Sequence, residues 1–244
     1  MKRDSYLEHL AHDGRRMAEL ARGDLDVAVP TCPDWKLVDL IEHTGFVHRW
    51  QTATVRDRPE TFPDPPTWRF GPADGESWSD WFQAGVDEAA RVLGAVEPDE
   101  PRWTWFPPDQ TAGFFHRRIA QETLVHRLDA ELAATGTVTP VDPELAVDGI
   151  DERFDVFVPA AGPTTVGGNG ETVHLHATDA DGEWLVTMQP ETVTVERAHA
   201  KGDAALRASA SDLLLYVWGR DPVGDVEVFG DASIKDRLFA AFKN

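Results

Sequence analysis

The sequence predicts an α+β protein of two domains, a four-helix bundle in residues 1–138 followed by a smaller α+β domain in residues 139–244. Three observations support this. Apolar residues recur at helical spacing from the N-terminus to about residue 135. Beyond Pro140 the spacing changes to short alternating segments bounded by Asp-Gly or Pro turns. Gly136 and Pro140 lie where the spacing changes, so we place the domain boundary between them.

The first domain is predicted to contain four helices. Helical patterns cover residues 6–21, 35–55, 78–95 and 111–135. Asp34 and Ser77 are suited to cap the second and third helices, because a short polar side chain accepts a hydrogen bond from the first turn. Gly136 can end the fourth helix. A Pro-rich stretch at residues 58–75 is expected to be a loop, because proline interrupts both helical and strand hydrogen bonding.

The second domain is predicted to combine helices with one sheet. Residues 143–159 are predicted to form a helix that ends before a Gly-rich turn at residues 167–170. Ser211 is expected to cap a helix that continues through Trp218, and residues 232–242 are expected to form the last helix. Strand patterns occupy residues 172–178, 184–189, 192–197, 205–209 and 226–229.

The composition excludes several classes of partner. The chain of 244 residues carries a formal net charge of −20, which repels nucleic acid phosphates and anionic membranes. The first residues hold no apolar signal segment, and no run approaches the roughly 18 apolar residues that a membrane span needs. The one cysteine, Cys32, has no partner for an internal disulfide, which is typical of a reducing compartment. We therefore expect a cytoplasmic protein that acts on small molecules.

One pattern in the fourth predicted helix indicates a metal site. Glu122 and His126 are four residues apart, so their side chains point the same way. A buried carboxylate without a cationic partner is costly, and one divalent ion would satisfy both side chains. The second helix offers His43 as a third ligand on its inward stripe, and two histidines with one glutamate form a known catalytic zinc set. The sequence therefore predicts a divalent metal ion, with zinc first, at His43, Glu122 and His126.

Each of these residues also has a plainer interpretation. Glu122 and His126 could be a surface pair, and His43 could be a hydrogen-bonded core histidine. His48 competes with His43 as the third ligand, although it lies at a different angle on the helix. Asp129, one turn beyond His126, could accept the ring N–H of that ligand or form a surface salt bridge.

We assign no chemical role to the other reactive side chains. His174 and His176 alternate with apolar residues, so we expect them to share the solvent face of a strand, with no third partner in view. Cys32 is interpreted as a small buried hydrophobic residue rather than a nucleophile. The sequence holds no Gly-rich phosphate loop and no nucleophile elbow.

Segments along nearly the whole chain resemble one family. Residues 29–50 (VPTCPDWKLVDLIEHTGFVHRW), 117–131 (RRIAQETLVHRLDAE), 215–220 (LYVWGR) and 226–231 (VEVFGD) are similar to the mycothiol-dependent maleylpyruvate isomerases, which belong to the DinB-like superfamily of metal-binding bundles. The resemblance implies a DinB-like four-helix bundle, a sterol-carrier-like α+β domain, and zinc ligands at His43, Glu122 and His126. Asp34 stands where many members carry glycine, and Gln121 where histidine is frequent. Neither position is one of the three ligands.

The resemblance also implies an activity. In that family the metal binds the thiol of mycothiol, which adds to the activated cis double bond of maleylpyruvate; rotation and elimination then give the trans isomer. It implies an isomerase or S-transferase acting on a small electrophile. Arg220, in the Trp-Gly-Arg motif, could hold a substrate carboxylate or be a structural arginine at a helix end. We expect Trp68 and Arg69 of the Pro-rich loop to bind the sugar of the thiol. The rival interpretation is a metal- or ligand-binding module without turnover.

Overall fold

The computed structural model describes residues 1–61, 71–161 and 166–243. The chain divides into two units, Met1–Thr139 and Pro140–Asn244. In the described part of the chain, the first unit consists of helices joined by loops, and the second combines helices with a five-stranded sheet. The predicted α+β class, with the helical part first, is confirmed. Trp68 and Arg69 lie outside the described residues.

The first unit is a helical bundle. Its helices are α1 (Arg3–Leu20), α2 (Leu37–Asp57), α3 (Trp78–Gly94) and α4 (Ala112–Thr135). Both α1 and α2 pack against α3 and α4. Their facing stripes bury apolar side chains such as Leu10, Leu40, Phe82 and Ile119 completely. Each such burial stabilises the fold by about 1.5–3 kcal/mol. The packing of α2 on α4 positions the candidate ligands.

The start of α2 differs from the prediction. Asp34 is not the N-cap, because its φ of +68° is left-handed and it lies in a turn where the Trp35 N–H donates to the Cys32 carbonyl (3.1 Å). Lys36 is the N-cap, and its backbone N–H donates to the Asp39 carboxylate (2.8 Å). A left-handed φ is easiest for glycine and tolerable for a short polar residue. This explains why glycine suits position 34 in the family that the sequence resembles.

Two other helix ends agree with the prediction. The Ser77 hydroxyl oxygen accepts a hydrogen bond from the Asp80 N–H (3.0 Å) at the start of α3. Gly136 ends α4 with a φ of +73°, and its N–H donates to the Leu132 carbonyl (3.1 Å). Across the described residues, no helix has the length and apolar character that crossing a bilayer would require.

The second unit contains helices α5 (Pro143–Glu152), α6 (Val158–Ala160), α7 (Ala210–Val217) and α8 (Ala232–Phe242), and strands β1 (Thr172–Ala177), β2 (Glu183–Met188), β3 (Val193–Glu196), β4 (Ala204–Ala208) and β5 (Glu227–Gly230). The single helix predicted over residues 143–159 is interrupted by a π-helical turn at Arg153–Phe157. The cap predicted for α7 was also wrong. Ser209, not Ser211, accepts from the Asp212 N–H (3.1 Å), so the helix begins two residues earlier.

The sheet has the strand order β3-β2-β1-β4-β5, in which β1 and β4 are parallel and the other neighbours antiparallel. One face is apolar and buried, with Val173, Leu175 and Trp184 fully covered. Helices α7 and α8 pack on β1, and α8 also packs on β4. Because side chains alternate along a strand, His174 and His176 lie on the opposite face.

Candidate metal centre

Two facing helices of the first unit bring three predicted ligands together. Glu122 and His126 come from α4, one helical turn apart, and His43 comes from α2. The Glu122 Oε1 atom lies 3.2 Å from His43 Nε2 and 3.3 Å from His126 Nε2. The ligand atoms of the three residues all lie within 4.8 Å of one another. The spacing of four on α4 gives one shared direction, and the packing of α2 supplies the third side chain.

The cluster lies near the surface of the bundle rather than at its centre. The His43 side chain is 38% exposed, whereas those of Glu122 and His126 are 17% and 13% exposed. The His43 ring contacts the Trp35 ring, with centroids 5.1 Å apart, and meets the His126 ring edge-on at 86°. His43 was predicted to point into the bundle interior. It faces Glu122 on α4 instead with its side chain partly exposed to solvent. Access from solvent is on the His43 side.

Asp129 orients His126. Its Oδ2 atom lies 3.0 Å from His126 Nδ1, and its Oδ1 atom accepts the hydroxyl of Thr31 (2.6 Å). Asp129 is fully buried, and the Cys32 Sγ atom lies 3.9 Å from its Oδ2. A carboxylate bonded to one ring nitrogen holds the N–H there and directs the other nitrogen outward. His126 Nε2 is thereby directed at Glu122.

The charges of the cluster are coupled. Burial lowers the pKa of His126, but the Glu122 and Asp129 carboxylates outweigh it and raise that pKa to about 9. Burial raises the pKa of Glu122, but His126, His43 and Arg118 together bring it well below its ordinary value. The Arg118 guanidinium also binds the second oxygen of Glu122 (3.1 Å). At neutral pH His126 is therefore protonated beside an ionised Glu122.

The three residues fit a divalent ion. Bonds of about 2.0–2.2 Å at tetrahedral angles place neighbouring ligand atoms about 3.3–3.5 Å apart. The two N···O distances of 3.2 and 3.3 Å come close to this spacing. Two imidazoles and one carboxylate are donors that zinc accepts. The proton on His126 holds the position that an ion would take, because ligands bind metals in their deprotonated form.

His48 does not belong to the cluster. It is fully buried, and its Nε2 atom lies 2.8 Å from the Thr123 hydroxyl, which itself donates to the Ile119 carbonyl (2.6 Å). The Thr123 oxygen must therefore accept from His48, so Nε2 carries the hydrogen. Burial lowers the pKa of His48 to about 3. His48 is a neutral core histidine.

Arg220 lies in the second unit. Its backbone N–H donates to the Leu215 carbonyl (2.8 Å) and its Nη1 to the Trp218 carbonyl (2.6 Å). These bonds close the C-terminal end of α7, which agrees with the structural interpretation of this arginine. Burial, together with the charge of Arg220, lowers the pKa of the Arg153 guanidinium.

Two residues of a second cluster were not predicted from the sequence. His174 and His176 were expected to have no third partner, but Glu183 and His199 lie beside them. The facing positions of His176 and Glu183 on β1 and β2 follow from the register of that hairpin. The approach of His199 has no local sequence signal, because it depends on the path of the chain after β3.

The fold and the first cluster define a class of protein: a helical bundle with a candidate two-histidine, one-glutamate metal centre, followed by an α+β domain. The chain belongs to the mycothiol maleylpyruvate isomerase family. The N-terminal domain model of this family matches residues 7–131, and its C-terminal domain model matches residues 144–234.

Solved structures agree in fold. A crystal structure of the mycothiol-dependent maleylpyruvate isomerase is 11% identical and superposes with a TM-score of 0.58 over 93% of both chains. A mutant of that isomerase with one histidine replaced by alanine is also 11% identical, with a TM-score of 0.59 over 93% of both chains. At this identity the likeness concerns the fold. No curated protein matches the sequence.

Proposed function

We propose that this chain is a zinc-dependent enzyme that uses a low-molecular-weight thiol, mycothiol first, either to isomerise a small electrophile such as maleylpyruvate or, as an S-transferase, to add the thiol to it. The observation that carries the proposal is the convergence of His43, Glu122 and His126 within 4.8 Å in a chain of this family. The family and the neighbouring structures support both the thiol and the substrate class.

The protein groups have separate tasks in this proposal. Asp129 holds the N–H of His126 on Nδ1, so that Nε2 is available as a ligand. Arg118 binds one oxygen of Glu122 and leaves the other directed at the two histidines. When bound, zinc lowers the pKa of a coordinated thiol so that it ionises at neutral pH. The partly exposed His43 side leaves room for the thiol to approach.

The rival function is a metal- or ligand-binding module without turnover. A catalytic zinc site keeps a coordination position open, whereas a structural site is closed by four protein ligands. Within the described residues this cluster offers three ligands, which favours the enzyme. A fourth protein ligand in a metal-loaded crystal structure would favour the module instead.

Three further residues belong to the proposal as binding groups. Trp68 and Arg69 are proposed to bind the sugar of the thiol, and Arg220 to hold a carboxylate of the electrophile. Arg220→Ala should raise the KM for a carboxylate-bearing electrophile and leave the zinc content unchanged. Trp68→Ala and Arg69→Ala should raise the KM for the thiol. An unchanged KM would remove the corresponding assignment.

The decisive test is turnover of a panel of electrophiles by the full chain, with zinc and thiol each present or absent. We expect product only when both are present, and none from His126→Ala. His48→Gln, which alters a buried histidine of the same bundle outside the cluster, is the matched control and should keep its activity. Turnover by the zinc-loaded protein without thiol would overturn the mechanism and indicate zinc-activated water as the nucleophile. Zinc binding without any turnover would support the module.

A further inference from the structure

A second cluster of metal-binding side chains lies on the outer face of the sheet in the second unit. His174 Nε2, His176 Nδ1 and His199 Nδ1 lie 2.9, 3.2 and 2.6 Å from the same atom, Glu183 Oε2. One ligand atom from each of the four residues lies within 4.8 Å of all the others. Four side chains of the types that bind zinc therefore meet at one point.

The sheet fixes three of the four side chains. His174 and His176 are two residues apart on β1, so they project from the same face. Glu183 on β2 is directly opposite His176 in the antiparallel register, and such pairs have their Cβ atoms about 4.5–5.5 Å apart. β1 is the central strand, with β2 on one side and β4 on the other. The backbone that carries His174, His176 and Glu183 is therefore a rigid part of the sheet.

The fourth side chain comes from a segment that is held at both ends. Arg197, two residues before His199, forms an ion pair with Asp151 and lies over the Trp184 ring at 4.5 Å. At the other end, the Asp203 carboxylate accepts from the Thr172 N–H (2.8 Å) and hydroxyl (2.9 Å). These anchors place residues 198–202 beside β1. They explain how His199, whose side chain is 82% exposed, reaches Glu183.

The arrangement of the rings suits an ion. The three imidazole planes meet at 66°, 89° and 71°, with centroids 5.6–6.3 Å apart. The rings are therefore arranged edge to face rather than stacked. One carboxylate oxygen has about two lone-pair sites for hydrogen bonds, whereas here three ring nitrogens surround a single oxygen. His174 is 8% exposed although it lies on the outer face. Three imidazole nitrogens and one carboxylate oxygen are all donors that zinc accepts, so one ion at this point would bind the four side chains together.

We propose that His174, His176, Glu183 and His199 bind a second divalent transition-metal ion, with Zn²⁺ as the probe. Three imidazoles and one carboxylate complete a tetrahedral set, so the site is closed in the manner of a structural zinc site. The ion links β1, β2 and the segment after β3, and it stabilises the second unit. This role is independent of the thiol chemistry proposed for the bundle.

A cavity gives the ion a route from solvent. It has a volume of about 610 Å³ and is lined by His174, His199, Lys201 and Asp203, together with Phe229 on the neighbouring edge strand. An entry path is one of the features that a metal site requires. The net charge of −20 raises the local concentration of divalent cations around the protein.

The test is the zinc stoichiometry of the chelator-treated full chain. We expect two equivalents for the wild type, one for His126→Ala, one for the variant that carries both His176→Ala and His199→Ala, and none when all three substitutions are combined, because two remaining ligands hold an ion poorly against water. Lys201→Ala, in the same segment but outside the cluster, is the matched control and should keep two. The Tm of His126→Ala should rise with added Zn²⁺, and that of the variant with all three substitutions should not.

Each result bears on one site. Because the His176 and His199 side chains are 30% and 82% exposed, their substitution should not disturb folding, and Co²⁺ absorption can report the loss of one coordination environment. Equal zinc content in the wild type and in the His176→Ala/His199→Ala variant would overturn the second site, whatever the bundle does. One equivalent in the wild type that disappears in the His176→Ala/His199→Ala variant would support the second site and contradict the site in the bundle.

Discussion

The Nδ1 atom of His126 lies 3.0 Å from the Oδ2 atom of Asp129, three residues later on the same helix. This contact fixes which ring nitrogen of His126 is directed at Glu122. Asp129→Asn keeps the size but replaces the charged acceptor, so the affinity for zinc should fall about 10–100-fold. A competition titration against a chelator of known affinity measures the change. Asp13→Asn, at another buried carboxylate of the bundle, is the control, and equal affinities for the two variants would contradict the role of Asp129.

His126→Ala should abolish zinc binding at the bundle site, because two remaining ligands hold the ion poorly against water. The measurement is best made in a His176→Ala/His199→Ala background, where the bundle is expected to bind the one remaining equivalent. In that background His48→Ala should retain nearly full occupancy, since His48 contacts Thr123 and not the cluster. One equivalent in the His126 variant would place the site elsewhere.

The burial of His48 is expected to make the free energy of unfolding depend on pH. Its pKa is about 3 in the folded protein, against an ordinary value of 6.5. Between these values the unfolded chain takes up a proton that the folded chain does not, so the free energy of unfolding falls as the pH falls below 6.5. From pH 7 to pH 5 the loss from this residue is about 2 kcal/mol.

The comparison is with His48→Gln, which keeps an N–H for Thr123 and cannot titrate. Urea unfolding of both proteins at pH 7 and pH 5 gives the difference directly. We expect the wild type to lose about 2 kcal/mol more than the variant. Parallel losses would show that His48 titrates normally and is not buried as described.

Replacing Glu131 is expected to lower the free energy of unfolding by a large amount. Its carboxylate is 1% exposed and binds Arg127 (2.9 Å), Arg16 (2.9 Å) and the hydroxyl of Thr139 (2.5 Å). Glu131→Ala leaves the buried Arg127 with fewer counter-charges, which should cost about 3–5 kcal/mol in urea unfolding. Glu88→Ala removes the partner of Arg91 on the surface of α3 and should cost less than about 1 kcal/mol. Similar losses would contradict the burial of the Glu131 network.

Limited proteolysis should cut between Ala134 and Pro143. α4 ends at Thr135, and Gly136 and Thr137 are exposed, whereas Thr139 is held by the Glu131 carboxylate. The products should be a helical fragment and an α+β fragment, identified by mass spectrometry and circular dichroism. Persistent cleavage elsewhere with this stretch intact would place the domain boundary differently from the expected residues 138 and 139.

Local periodicity determined much of the fold. The helices, most strand positions and the caps at Ser77 and Gly136 follow from spacing and turn chemistry within a few residues. The shared direction of Glu122 and His126 is likewise local, because residues four apart on a helix point the same way. The prediction failed where the backbone left standard geometry, at Asp34 with its left-handed φ and at the π-turn Arg153–Phe157.

Tertiary structure decided which of these side chains meet. His43 is 79 residues from Glu122, and the packing of α2 on α4 brings the two together while it places the buried His48 against Thr123. Glu183 faces His176 because of a strand register, and His199 joins them because Arg197 and Asp203 anchor its segment. Contacts of this kind depend on the closure of long stretches of chain around a common core, a property that spacing within a single element does not contain.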